Sequence, residues 1–172
     1  EGELKMSPVI AYLGLGANLG DAPATLAEAV RRLSQVDGVR VDAVSSLYRT
    51  APVDAEGPDY TNAVARIVTS LAPMALLAET QRIEKELGRV RPAGVHNAPR
   101  TLDIDIELYG EEAISEPPAL LVPHPRMHER AFVLVPLTEL DPQARIPGRG
   151  LAAEFLPAVR GQRLEKLAAP GR

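Results

Sequence analysis

Residues 99–108 read Pro99-Arg100-Thr101-Leu102-Asp103-Ile104-Asp105-Ile106-Glu107-Leu108. Four aliphatic residues alternate there with polar ones, which is the pattern of a half-buried β-strand. Successive side chains of a strand point to opposite faces, so we expect all four aliphatic side chains to enter one core. Asp103 and Asp105 then lie next to each other on the opposite face of the strand.

This pair of acids suits a site for divalent cations. Side chains two residues apart on a strand are about 6–7 Å apart at the backbone. That spacing allows two carboxylates to share a pair of ions about 3.5–4 Å apart. Magnesium prefers such oxygen ligands and keeps water and substrate phosphates in the rest of its shell. The alternative is a solvated strand face that carries acids for solubility, because Asp-x-Asp is a common triplet.

Length and composition indicate one globular domain. The chain has 172 residues, of which 45% are hydrophobic and 24% are charged, and it contains no cysteine. A net charge of −4 argues against a nucleic-acid-binding surface, although a local basic pocket for a phosphorylated ligand remains compatible with it. We see neither a signal-peptide pattern nor an apolar run long enough for a membrane span, so we expect a cytoplasmic protein without membrane contact.

The first half of the chain contains alternating strand and helix signals. Val9–Leu15 is an apolar strand that leads into the glycine-rich residues 14–21, and Asp21 is a suitable N-cap for a helix that ends at Asp37-Gly38. The glycines follow G-x-G-x-x-x-G rather than the dinucleotide-binding G-x-G-x-x-G, so we interpret them as turn residues. Further strands are predicted at 39–48 and 60–71, separated by a loop at 49–59.

A second helix from Pro73 to Gly88 and a loop at 88–98 lead to the acid-bearing strand. The order β-α-β-β-α-β predicts an α+β protein of the ferredoxin-like class, with an antiparallel sheet and helices packed on it. We expect a single domain whose core covers about residues 7–142, after a tail at 1–6. A C-terminal extension follows, with a hairpin turn at 109–112, an extended piece at 120–125, a helix at 126–140 that breaks at Pro136, and a mobile end at 158–172.

Arginines cluster in the sequence around the acid pair. Arg89, Arg91 and Arg100 precede it, while His124, Arg126 and Arg130 follow it. Cations bound by the acids and guanidinium groups from the arginines would together neutralise a polyphosphate. The two long loops at 49–59 and 88–98 are candidate lids that could exclude water.

Aromatic residues are scarce, with four Tyr and two Phe in the whole chain. Tyr60 opens the third predicted strand and Phe132 follows the Arg130 segment, so a planar ring could stack between them. Asn62 lies two residues from Tyr60 and offers a donor and an acceptor to the edge of a heterocycle. Ordinary core packing for the aromatic residues, and a strand hydrogen bond for Asn62, are the alternatives.

A series of short motifs then occurs in order along about residues 9–142. The motifs are Gly14-Leu15-Gly16-Ala17-Asn18-Leu19-Gly20-Asp21, Tyr48-Arg49-Thr50, Asp59-Tyr60-Thr61-Asn62-Ala63, Gln81-Arg82-Ile83-Glu84, Gly88-Arg89-Val90-Arg91, Pro99-Arg100-Thr101-Leu102-Asp103-Ile104-Asp105 and Pro123-His124-Pro125-Arg126-Met127-His128-Glu129-Arg130-Ala131-Phe132. As an ordered set they resemble the 6-hydroxymethyl-7,8-dihydropterin pyrophosphokinases of folate biosynthesis.

The resemblance implies a reaction in which ATP donates its β,γ-diphosphate to the hydroxymethyl group of the pterin and leaves as AMP. It implies that Asp103 and Asp105 hold two Mg²⁺ ions and that Arg89 and Arg100 act on the phosphates. The implied ATP contacts are Gln81, Glu84, Arg91, His124 and Arg130. The implied pterin contacts are Thr50, Ala51, Val53, Tyr60, Asn62 and Phe132. We expect a monomer that acts on these two small molecules.

Two other functional classes fit the sequence less well. The ferredoxin-like fold also occurs in RNA-binding modules, but those carry exposed aromatic residues on central strands and a basic surface, whereas this chain has acids there. The second alternative is that the chain is a relative that has lost activity, and the intact acid pair and arginines argue against it. One departure from the family is Asn97, which stands where Trp is frequent, so no stacking contact from that loop is implied.

Overall fold

A computed structural model describes residues 7–52, 57–88 and 102–167 of the chain. The strands there are β1 (Val9–Ala17), β2 (Val39–Val44), β3 (Tyr48–Thr50), β4 (Tyr60–Thr69), β5 (Asp103–Tyr109), β6 (Ile114–Glu116), β7 (Leu120–Val122), β8 (Arg145–Ile146), β9 (Gly150–Leu151) and β10 (Glu165–Lys166). The α-helices are α1 (Ala22–Leu33), α2 (Pro73–Gly88) and α3 (Ala131–Leu140), and short 3₁₀ turns occur at Met127–Glu129, Ala152–Phe155 and Pro157–Val159.

The main sheet is antiparallel and has six strands in the order β10-β3-β4-β1-β5, with β2 also paired to β4. The predicted ferredoxin-like β-α-β-β-α-β arrangement is therefore confirmed. One predicted strand, residues 39–48, is divided into β2 and β3, and β3 extends to Thr50 at the start of the predicted loop. At this division the Ser45 hydroxyl, rather than a backbone carbonyl, accepts the Val64 N–H at 2.9 Å.

The sheet is covered differently on its two faces. On the first face, Leu13, Leu15 and Ile106 pack with the apolar sides of α1 and α2 in the larger hydrophobic cluster. On the second face, Tyr12 and Leu108 belong to a separate cluster with α3 and the C-terminal extension. A second face that is only partly covered leaves room for a cleft.

The expectation that all four aliphatic residues of the acid-bearing strand enter one core is wrong for Leu108. The pairing of β1 with β5 shifts between Leu13, which lies opposite Ile106, and Tyr12, which lies opposite Leu108. The extra residue at this β-bulge is Glu107. Because a bulge inserts one residue into one strand, it breaks the simple alternation and turns Leu108 to the second face.

The two helices of the first face begin where the sequence predicts. Asp21 caps α1, since its Oδ1 accepts the Ala24 N–H at 3.1 Å. This helix ends at Leu33 and not at Asp37-Gly38 as predicted. Helix α2 has the predicted bounds, and its last residue, Gly88, is required because a Cβ there would lie 2.8 Å from the Leu102 backbone nitrogen. The end of α2 is thus pressed against the start of β5.

The predicted helix at 126–140 is interrupted at Arg130 and not at Pro136. Arg130 is extended, with φ −123° and ψ 112°, and it separates the 3₁₀ turn at Met127–Glu129 from α3. Pro136 lies inside α3, which continues to Leu140. A proline in a helix removes one N–H donor, but the packing of α3 in the second cluster outweighs that loss here.

The C-terminal extension contributes to both hydrophobic clusters, since Leu120 and Val122 pack in the first, whereas Ile146, Ala152 and Val159 pack in the second. The predicted hairpin turn contains Gly110 at φ 56°, and β6 and β7 form a separate small sheet after it. The segment from residue 158, predicted to be mobile, includes β10, which pairs with β3. Residues 168–172 and the tail at 1–6 lie outside the described residues. No helix in the described part of the chain is long and apolar enough to cross a membrane.

Candidate active site

A cleft of about 680 Å³ opens on the second face of the sheet. Its floor comes from β1, β4 and β5, one wall comes from residues 126–133, and the other comes from β3 and the residues after it. The lining residues are Gly14, Leu15, Gly16, Thr50, Ala51, Pro52, Tyr60, Asn62, Ala63, Asp103, Asp105, Glu107, Arg126, Glu129, Arg130, Ala131, Phe132, Val133, Gln162 and Arg163.

Two glycines of β1 form the floor of this cleft. The interpretation of Gly14 and Gly16 as turn residues is wrong, because both lie within the strand. A Cβ at Gly16 would lie 2.9 Å from Asn62 Oδ1, and a Cβ at Gly14 would overlap the Glu107 carboxylate. The missing side chains therefore let groups from β4 and β5 lie across β1 at the bottom of the cleft.

Asp103 and Asp105 both line the cleft and are both half-buried. Their strand positions explain this placement, since Asp103 lies opposite Gly16 and Asp105 lies opposite Gly14 in the pairing of β1 with β5. Because both opposing residues are glycines, β1 places no side chain beside the two carboxylates. The two carboxylates thus share one face of β5 and one cavity, which is the arrangement that the alternating pattern predicts.

Glu107 is a third acid in the cleft that the sequence reasoning missed. Its side chain is only 2% exposed, and its Oε1 has no hydrogen-bond partner among the described residues. Burial raises the pKa of this carboxyl well above its ordinary value, and the Asp105 charge adds to that rise, while Arg130 opposes it. The available signal was its position, two residues beyond Asp105 and hence on the same face.

The two predicted aromatic residues lie in the same cleft. Tyr60 and Phe132 both line it and are both half-buried, and Phe132 also packs against the second hydrophobic cluster. Asn62 is buried on the floor, where its Nδ2 donates to Thr50 Oγ1 at 2.8 Å. The guanidinium of Arg130 lies 5.5 Å from the centre of the Phe132 ring, within the range of a cation–π contact.

Three residues that the resemblance assigns to ATP lie outside the lining of the described cleft. Gln81 is exposed on α2, while Glu84 is 6% exposed and its Oε2 accepts the Ile104 N–H at 2.7 Å. Glu84 thereby holds the backbone between the two acids. His124 is half-buried, and burial lowers its pKa below the ordinary value despite the opposing charge of Asp105.

The remaining predicted residues divide into two groups. Thr50, Ala51 and Arg130 line the cleft. Val53, Arg89, Arg91 and Arg100 lie outside the described residues, as does most of the loop at 88–98. Gln162 and Arg163 also line the cleft, and the sequence carried no signal for them because they belong to an extension without a recognisable motif.

The donor set of the cleft fits a magnesium ion that shares its ligands with a substrate. In residues 7–52, 57–88 and 102–167, no group of three or more His, Asp or Glu is arranged to hold a metal by itself. Magnesium is commonly bound by one or two carboxylates together with phosphate oxygens and water. Asp103 and Asp105 supply such carboxylates, and a bound phosphate would complete the shell.

The cleft on this ferredoxin-like sheet is lined by paired carboxylates, arginines and two aromatic residues, which is a set of groups compatible with phosphate transfer to a planar substrate. Residues 12–142 match the model of the family described as 7,8-dihydro-6-hydroxymethylpterin-pyrophosphokinase (HPPK). The chain belongs to this family. The predicted family, the class of ATP-dependent pyrophosphokinase and the place in folate biosynthesis are thereby confirmed.

Curated relatives agree with the family assignment. The chain is 50% identical over 135 residues to the 2-amino-4-hydroxy-6-hydroxymethyldihydropteridine pyrophosphokinase of Bacillus subtilis, covering 78% of this chain and 79% of that protein. It is 40% identical over 160 residues to the enzyme of the same name from Haemophilus influenzae, covering 92% of this chain and 98% of that protein.

Solved structures show the same fold. A crystal structure of an HPPK-DHPS protein in complex with substrates superimposes with a TM-score of 0.70 at 12% identity, covering 89% of this chain and 43% of that one. The wild-type HPPK-DHPS of Plasmodium falciparum with SDX-DHP gives a TM-score of 0.71 at 13% identity, covering 91% and 45%. The chain thus spans less than half the length of these structures, and the likeness concerns the fold alone.

Proposed function

We propose that the cleft of this chain transfers the β,γ-diphosphate of ATP to the hydroxymethyl group of 6-hydroxymethyl-7,8-dihydropterin and releases AMP. One observation carries the proposal: Asp103 and Asp105 line the same cavity as Tyr60 and Phe132. A cation-bound polyphosphate and a planar acceptor could therefore bind next to each other, as a direct transfer between them requires.

The acceptor half of the cleft suits a pterin. Tyr60 and Phe132 would stack on the two faces of the ring, since aromatic pairs gain from such contacts. Asn62 would bind the edge of the ring, because its Nδ2 is already held by Thr50 and its Oδ1 lies over Gly16. The backbone of residues 50–53, including Thr50, Ala51 and Val53, would complete this subsite.

The donor half would hold ATP. Asp103 and Asp105 would bind two Mg²⁺ ions, which neutralise negative charge on the phosphates when present. Arg130 lies beside them in the cleft, and Arg89 and Arg100 would act on the transferred group while Arg91 contacts ATP. Gln81, Glu84 and His124 would contact the nucleotide where it extends beyond the described cleft.

In the proposed reaction the pterin hydroxyl oxygen attacks the β-phosphorus of ATP. The bond between that phosphorus and the bridging oxygen to the α-phosphate breaks, so that AMP leaves and the hydroxyl loses its proton. The side chains form no covalent bond, so alignment of the two substrates and neutralisation of phosphate charge supply most of the rate acceleration. Asp105, one of the two metal-pair acids that line the cleft, is the candidate proton acceptor.

A coupled assay of AMP release tests this function directly. We expect AMP only when ATP, Mg²⁺ and the hydroxymethyl pterin are all present. Asp103→Ala and Asp105→Ala should each lose nearly all turnover, at least about a hundredfold, because the charge of the transferring group is then not balanced. Circular dichroism should show that both variants stay folded, and full activity in both variants would contradict the assignment of the acids.

We also propose that the chain acts as a monomeric single domain in the cytoplasm. Small substrates that bind in one cleft give no reason for a second subunit, and the acidic net charge of −4 gives none for a nucleic acid partner. Light scattering coupled to gel filtration would measure the mass in solution. A mass twice that of the 18.4 kDa chain would refute the monomer.

A further inference from the structure

One side chain of the C-terminal extension bridges two backbone groups in the wall of the cleft. Gln162 Nε2 donates to the Glu129 carbonyl oxygen at 2.8 Å, and Gln162 Oε1 accepts the Ala131 N–H at 2.8 Å. A side-chain amide that both donates and accepts resembles one step of a β-ladder. The two hydrogen bonds flank Arg130, the residue between the bonded groups.

The bridged segment needs an external partner. Arg130 is the N-cap of α3 but makes no side-chain capping bond, so the Ala131 N–H at the first turn has no capping partner from within the helix. The first N–H groups of a helix require such partners. Gln162 supplies one, at the point where the chain leaves the 3₁₀ turn and enters α3. Phe132 and Arg130, on either side of this N–H, both line the cleft.

The same extension is attached to the opposite wall a few residues later. Glu165 and Lys166 of β10 pair with Arg49 and Tyr48 of β3, and the Leu167 N–H donates to the Leu47 carbonyl oxygen at 2.7 Å. Strand β3 continues directly to Thr50, which lies opposite Tyr60 in the pairing with β4. Residues 162–167 thus connect the wall that carries Phe132 with the β3 wall, which pairs with β4 at Tyr60 on the floor of the cleft.

We propose that Gln162 is a positioning residue for the acceptor substrate, and that residues 162–167, the C-terminal brace, set the separation of the Tyr60 and Phe132 rings. This inference rests on the proposed pterin site between those rings. The brace lies beyond residues 12–142, the part of the chain that the family model matches. A planar ring gains its stacking energy only over a narrow range of separations, so the brace would control affinity for the pterin more strongly than affinity for ATP, whose proposed contact Arg130 lies between the two hydrogen bonds.

The test compares Gln162→Leu with the matched control Gln143→Leu. Leucine keeps the approximate size of glutamine but removes both hydrogen bonds, and Gln143 is an exposed residue outside the cleft lining. We expect Gln162→Leu to raise the KM and the Kd for the hydroxymethyl pterin about five- to tenfold, as for the loss of one or two hydrogen bonds. The KM for ATP should rise by a smaller factor than the KM for the pterin, and Gln143→Leu should match the wild type.

Gln162→Glu supplies a second, graded variant. Its carboxylate can still accept the Ala131 N–H but cannot donate to the Glu129 carbonyl, so we expect a pterin affinity between those of the wild type and Gln162→Leu. If Gln162→Leu does not fold, this variant carries the test alone. An unchanged pterin affinity in the folded variants would overturn the proposed role of the brace. Equal losses of affinity for the pterin and for ATP would overturn it as well.

The test of the brace can fail independently of the test of the proposed function. Wild-type protein that released no AMP with both substrates would refute the function itself. Wild-type protein that is active, together with a Gln162→Leu variant of unchanged pterin affinity, would refute the brace alone. The pterin titration can be followed by the fluorescence of the ligand, and Trp emission does not interfere because the chain contains no Trp.

Discussion

Gly14 shows how one missing side chain shapes the floor of the cleft. The Glu107 carboxylate occupies the position of its absent Cβ, and Glu107 is itself 2% exposed. The side chain of a buried acid cannot move aside without displacing its neighbours, since interiors are close-packed. The glycine is therefore a packing requirement of β1 and not a turn residue.

We predict that Gly14→Ala lowers the free energy of unfolding by about 1–3 kcal/mol, as overpacking of a filled site does. Urea unfolding followed by circular dichroism measures this change. Gly161→Ala is the matched control, because no atom lies within 4 Å of a Cβ at Gly161. If the overlap with Glu107 is the cause, the double variant Gly14→Ala, Glu107→Ala should lose less stability than the sum of its single changes. Additive losses would contradict this explanation.

At the scale of elements, one carboxylate fastens α3 to the start of β3. Glu139 Oε2 accepts from the Ser46 N–H at 2.9 Å and from the Ser46 hydroxyl at 2.9 Å, while Oε1 accepts from the Tyr48 hydroxyl at 2.5 Å. Burial alone would raise the pKa of Glu139, but the hydrogen bonds from Tyr48 and Ser46 outweigh it, and the pKa is lowered. The charged form is thus the one that the fold stabilises.

We predict that Glu139→Gln destabilises the protein by about 0.5–1.5 kcal/mol at pH 7, because hydrogen bonds to a charged group are lost at a side chain that is exposed enough for solvent to screen part of the interaction. A carboxyl whose folded pKa is lowered stabilises the fold above its unfolded pKa, and the stabilisation disappears as the pH falls through the folded pKa. The difference in stability between wild type and variant should therefore narrow once the pH falls below the ordinary Glu pKa of about 4.3, and it should close as the pH falls through the lowered pKa of the folded state. Urea midpoints at several pH values measure it, with the exposed Glu116→Gln as control. A gap independent of pH would contradict the role of the charge.

At the scale of the whole molecule, the cleft joins parts of the chain that are far apart in sequence. Its lining includes residues of β1, β4, β5, α3 and the C-terminal extension. A ligand bound to all of them cannot bind the unfolded chain, so binding must stabilise the entire fold. Ligand binding raises the free energy of unfolding by about 2.7 kcal/mol at a ligand concentration of a hundred times Kd.

We predict that a non-hydrolysable ATP analogue, Mg²⁺ and the hydroxymethyl pterin together raise the Tm by several degrees, as that free energy requires for a chain of this size. Removing Mg²⁺ with a chelator should abolish the part of the Tm increase that the ATP analogue causes, because the phosphates then face Asp103 and Asp105 without cations. The Asp103→Asn variant should show a smaller Tm increase with the ATP analogue, whereas its Tm increase with the pterin should equal that of the wild type. A Tm increase with the ATP analogue that persists without Mg²⁺ would contradict the proposed cation site.

Local patterns were sufficient for most of the elements and for part of the site. The alternation of residues 102–106, the Asp21 cap and the bounds of α2 are all set by neighbours in sequence, and the structure reproduces them. The alternation of side chains along a strand likewise predicted that Asp103 and Asp105 lie on one face. Such features depend on backbone geometry over a few residues, which is why a single sequence can reveal them.

Long-range packing determined the rest. The bulge at Glu107 depends on how β5 meets Tyr12 and Leu13, the break at Arg130 depends on contacts of α3, and the bridge by Gln162 joins residues 31 and 33 positions apart. The sequence alone was enough to establish the order of strands and helices, the acid pair and the family. The third acid, the glycine floor and the brace became visible only in the folded chain, because each depends on contact between segments whose relative position no local pattern encodes.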